Sequence, residues 1–133
     1  MEYLVLAAWV AQGAVGLRMA LRWRAQSRLS PAALVHVTVS VAGLALWLVF
    51  AVTGDVAWGW LALGLLTVGN GFGDSLLVGR SRQQKGERST VVADYPAAIR
   101  AVLTGRMPGD VTFHAVFAGV VYFGALAVCV VAS

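Results

Sequence analysis

Apolar and polar residues fall along this chain in long blocks. Apolar runs cover residues 3–21, 32–52, 58–78 and 111–132, separated by shorter polar stretches. Each run is near the ~20 residues that a helix needs to cross the hydrocarbon core of a bilayer. The pattern predicts an all-α integral membrane protein, an up-down four-transmembrane-helix bundle that forms one domain over residues 1–133.

Local signals support these limits. Ser30-Pro31 is a helix-start pair ahead of the second run, because serine caps free N–H groups and proline suits the first helical position. Thr53-Gly54-Asp55 makes a tight turn between the second and third runs. Trp47, Trp58 and Trp60 crowd that end, as an aromatic belt at a membrane interface does. Two connections remain, 22–31 and 79–110. Within the longer one, residues 94–106 read as an amphipathic helix lying on the membrane surface. Asp94 would cap it, Pro96 would sit in its first turn, and Ile99, Val102 and Leu103 would form its apolar face.

Charge then gives the bundle a direction. All ten Lys and Arg residues lie between Arg18 and Arg28 or between Arg80 and Arg106. Short loops rich in Lys and Arg stay on the cytoplasmic side. Loops 22–31 and 79–110 are therefore expected inside and both termini outside, in the cell (plasma) membrane. The second and fourth spans then run in the same direction and occupy diagonal corners of the bundle. Glu2 precedes the first run and the arginines follow it, the wrong polarity for a cleaved secretory signal.

Composition agrees. The chain is 59% hydrophobic and 12% charged, against about 45–50% and about 25% for a soluble domain. An isoelectric point of about 10.0 suggests nucleic acid at first sight. Cations confined to the loops are what membrane orientation alone demands, so no nucleic-acid partner is expected. Cys129 is the single cysteine, which excludes an intrachain disulfide.

Candidate chemistry rests on the two histidines. His36 is the fifth residue of the second run and His114 the fourth of the fourth run. At 1.5 Å rise per residue their depths differ by roughly one or two ångströms. Ionisable residues within spans face the bundle interior and mark function. Two facing neutral imidazoles suit the axial positions of a haem iron. Glycines lie at the corresponding level of the flanking spans: Gly13 and Gly16 on the first, Gly69, Gly71 and Gly73 on the third. Gly43 and Gly119 thin the histidine-bearing spans. Arg18, Arg80 and Arg82 are at the level of haem propionates.

This layout resembles the membrane b-type cytochromes of respiratory complexes. The likeness is one of architecture: haem held between histidines on the second and fourth helices of a bundle, with glycines on the first and third. It implies haem b bound through His36 and His114, and electron transfer to a quinone or a partner subunit. The departure is one histidine per helix in place of two, so a single bis-His haem is implied.

Other expectations come from the same residues. Asn70 and Asp74 share a face of the third span, and Asp74 lies at histidine depth. His36, His114 and Asp74 together would suit a single non-haem metal ion or a proton relay, in an intramembrane enzyme or a small dimeric transporter. An ion pair between Asp74 and Arg18 or Arg80 is the plainer role for that acid. The scarcity of polar groups also fits an accessory subunit of a larger membrane complex that holds no cofactor.

Overall fold

The computed structural model describes residues 1–26, 30–85 and 90–133. These form five helices: α1 (Glu2–Ala25), α2 (Pro31–Thr53), α3 (Val56–Lys85), α4 (Val91–Leu103) and α5 (Gly109–Ala132). The helices α1, α2, α3 and α5 are long and apolar enough to cross a membrane. The expected helical membrane bundle is therefore present, with α5 as its fourth span.

Helix ends follow local chemistry. The Ser30 hydroxyl accepts the Ala33 N–H at 3.2 Å, with Pro31 as the first helical residue. The α2–α3 turn closes on Gly54, which has φ 72° and donates its N–H to the Phe50 carbonyl at 2.8 Å. A positive φ is where a residue without Cβ is favoured. Helix α3 does not stop at residue 78. It continues to Lys85, so the start of the expected 79–110 loop is helical.

The structure shifts the α4 expectations. Thr90, not Asp94, is the cap, accepting the Ala93 N–H at 3.2 Å. Asp94 instead pairs with Arg82 Nε of α3 at 2.6 Å. Pro96 lies inside the helix. Ala98, Ala101 and Val102 are buried with Met107 against Leu77 and Val78 of α3, whereas Leu103 is exposed. The apolar face is rotated from the expected one, because α4 packs on α3 and α5.

In the bundle, α1 and α3 each pack against both α2 and α5. Among the described residues α2 and α5 make no close backbone contact, nor do α1 and α3. The two histidine-bearing helices thus take the diagonal, as their parallel direction suggested. One apolar cluster, around Trp9, Trp47, Phe50 and Cys129, fills the end with both termini and the α2–α3 turn. Trp47 belongs to this core and not to an aromatic belt: it is fully buried and donates Nε1–H to the Glu2 carbonyl at 3.0 Å. Trp58 and Trp60 do stand on the surface. A second cluster ties α3, α4 and α5 at the opposite end. Between the two clusters the bundle is open.

Candidate functional site

The opening is a cavity of about 880 Å³ lined by residues of all five helices. Cofactor and ligand sites span about 300–1,000 Å³. Its walls are mainly apolar, from Trp9, Leu44 and Leu66 at one end to Trp23 and Ile99 at the other.

His36 and His114 meet inside it. Their ring centroids are 6.0 Å apart with planes at 79°. Two imidazoles bound to opposite sides of one metal, at about 2.0–2.1 Å per bond, have centroids roughly 6–6.5 Å apart. His36 Nδ1 lies 2.7 Å from the Gly69 carbonyl. A carbonyl can only accept, so Nδ1 carries a proton, and in the neutral ring Nε2 keeps its lone pair. Orientation of a ligating imidazole by a backbone carbonyl is the usual arrangement around metals.

The two histidines have matching surroundings. A Cβ on Gly73 of α3 would come 3.1 Å from His36 Cε1, and one on Gly16 of α1 would come 2.8 Å from His114 Cε1. Each ring lies against a glycine of the next helix. Gly69 stands four residues before Gly73, and Gln12 stands four residues before Gly16. The backbone of Gln12 takes the place beside His114 that Gly69 takes beside His36. On this second side, however, His114 Nδ1 is buried and makes no hydrogen bond of normal distance and angle.

The other expected site residues fall into two groups. Gly13, Gly16, Gly71, Gly73, Gly119, Asn70, Asp74 and Arg80 line the cavity. Gly69 contributes its carbonyl. A Cβ on Gly13, Gly71 or Gly119 would meet nothing within 4 Å, so these positions hold space open, whereas Gly16 and Gly73 make room for the imidazoles. Gly43 serves the core, where its Cβ would come 3.1 Å from the Trp9 ring. Arg18 is exposed on α1 and does not line the cavity. Arg82 is turned to Asp94. Arg80 lines the cavity's end and also a smaller polar cavity of about 260 Å³, shared with Arg22, Trp23 and Asp110. There Arg22 and Asp110 form an ion pair.

Asp74 has a different partner from the expected arginine. Its carboxylate accepts the Tyr95 hydroxyl of α4 at 3.2 Å. Among the described residues no three His, Cys, Asp or Glu side chains converge as a metal site. Tyr95 outside the spans is affected in turn: partial burial, then the Asp74 charge and this hydrogen bond, push its phenol above the ordinary range.

Sequence reasoning passed over Gln12 and Tyr95 as site residues. The signal for Gln12 was available, since Gln12 precedes Gly16 at the spacing that Gly69 precedes Gly73. Tyr95 carried no such signal, because only the packing of α4 on α3 brings it to Asp74. Comparison of the chain with protein-family models, curated proteins and solved structures finds no match.

Proposed function

We propose that this protein is a small membrane redox subunit that binds one b-type haem between His36 and His114. The supporting observation is the pair of imidazoles, 6.0 Å apart across the bundle diagonal inside a cofactor-sized cavity. Histidines that served only packing would fill the space between them or bond each other. Here His36 is held by a carbonyl on its Nδ1 side, and the Gln12 backbone stands in the corresponding place beside His114.

The residues present suit the group. His36 and His114 would hold the group through neutral imidazole nitrogens. Gly13, Gly71 and Gly119 leave the walls open beside them. Arg80, at the end of the cavity, would meet a carboxylate substituent with its guanidinium. A bound haem supplies one-electron transfer. The protein's part is to orient the imidazoles, exclude water and hold the acid groups. By the positive-inside rule the histidine end would face the cytoplasmic side of the plasma membrane, so the redox centre would lie one helical turn beneath that surface. The one-electron chemistry that it would supply at that depth would serve one side of the membrane, with a quinone or a neighbouring subunit as partner.

A visible spectrum of detergent-purified protein from haem-supplemented cells tests this reading. A Soret band that shifts on reduction is expected, lost in both His36→Ala and His114→Ala. A colourless wild-type preparation, correctly folded by circular dichroism, would end it.

A further inference from the structure

A second polar layer crosses the cavity one helical turn from the histidines, on the side away from the basic loops. Gln12 of α1 is one turn from Gly16, Ser40 of α2 is one turn from His36, and Asn70 of α3 is one turn from Asp74. All three line the cavity. A Cβ on Gly69 would come 3.1 Å from Ser40 Oγ, which sets Ser40 level with Asn70. Three polar residues on three different helices at one height are not what lipid or helix packing requires.

Their hydrogen bonding is incomplete. Gln12 is 7% exposed, and its Oε1 is buried without a partner. Among the described residues Ser40 and Asn70 make no side-chain hydrogen bond either. Buried polar atoms are almost always paired, and an orphan of this kind points to water or a ligand. Gln12 Oε1 therefore calls for a molecule that donates a hydrogen bond, and the half-buried Asn70 amide and Ser40 hydroxyl beside it can bond the same molecule.

The route to the layer narrows the chemistry. Val10, Leu17, Val41 and Phe123 line the cavity, yet they are 52%, 54%, 60% and 68% exposed. The cavity thus breaks the bundle wall among apolar side chains on the span surfaces. A ligand entering there passes through lipid, so it is neutral and lipid-soluble. We infer that the layer of Gln12, Ser40 and Asn70 binds a quinol, whose ring hydroxyls both donate and accept. Its role as electron partner rests on the haem reading, whereas its binding does not.

The test is thermal unfolding of the detergent-purified protein with and without a short-chain quinol kept reduced. Anything that binds the folded state alone raises the unfolding temperature by mass action. The wild type should show a saturable rise. Gln12→Leu removes the orphan acceptor at similar volume. It should match or exceed the wild type without ligand and bind at least tenfold more weakly. Asn70→Leu should weaken binding likewise, and Ser40→Ala is a smaller change that keeps the test open should either leucine variant fail to fold. The Soret band is recorded on the same samples. Red wild-type protein without a saturable rise means that only water fills the layer, and overturns the inference. Variants that bind as the wild type does overturn it too. A colourless protein with Gln12-dependent binding supports the layer and overturns the haem.

Discussion

Gly16 lies so close to His114 that a Cβ there would stand 2.8 Å from the imidazole Cε1. Real side chains do not approach to that distance, and a rigid ring cannot fold away. Gly16→Ala should push His114 out of line and destabilise the fold by about 1–3 kcal/mol, as overpacking does. Loss of the Soret band should exceed the loss of helical circular dichroism. Gly73→Ala, at 3.1 Å from His36 Cε1, should act in the same direction but less.

Gly13 offers the contrasting case. Nothing lies within 4 Å of a Cβ there, and the residue lines the cavity. Gly13→Leu should fold normally, with unfolding free energy within about 1 kcal/mol of the wild type. The added side chain takes space that the cofactor would use, so haem content per polypeptide should fall by more than half. Equal haem content in this variant would show that the macrocycle lies elsewhere.

Tyr95 and Asp74 form one of the ties between α4 and α3. Tyr95→Phe should lower stability by about 0.5–1.5 kcal/mol, the net worth of such a bond. Because the folded state raises the phenol pKa, the neutral phenol's contribution is complete below the ordinary value of about 10. It is lost as pH rises through the elevated value. Thermal unfolding followed from pH 9 upward should decline more steeply in the wild type than in Tyr95→Phe.

Orientation is open to labelling on intact cells. By the positive-inside rule Arg106 is expected inside and Ser133 outside, while Cys129 is fully buried and adds little background. A membrane-impermeant maleimide should label Ser133→Cys on intact cells and Arg106→Cys only after lysis. The reverse pattern would invert the bundle and move the histidines to the outer face.

Helices were legible in the linear chain because each depends on local quantities. Span length follows from run length except in α3, which continues past its run to Lys85; the α2 start follows from Ser30-Pro31 and the α2–α3 turn from Gly54. The diagonal arrangement of α2 and α5 follows from four antiparallel crossings. Equal depth of His36 and His114 is also a matter of counting residues from the basic loops. The α4 cap was less legible, because Thr90 and Asp94 are both good capping residues and the difference rests on which one meets Arg82.

Amino-acid order alone therefore settled that four apolar helices exist and at what height each polar residue stands, since hydrophobicity and rise per residue act along one axis. It left rotation about each helix open, because the apolar runs are hydrophobic on nearly every side and no stripe marks the inward face. Packing resolved that rotation. It turned His36 to Gly69 and His114 to Gly16, sent Arg18 outward, drew Asp74 to Tyr95 in place of an arginine, and left Gln12 facing the cavity with its oxygen unpaired.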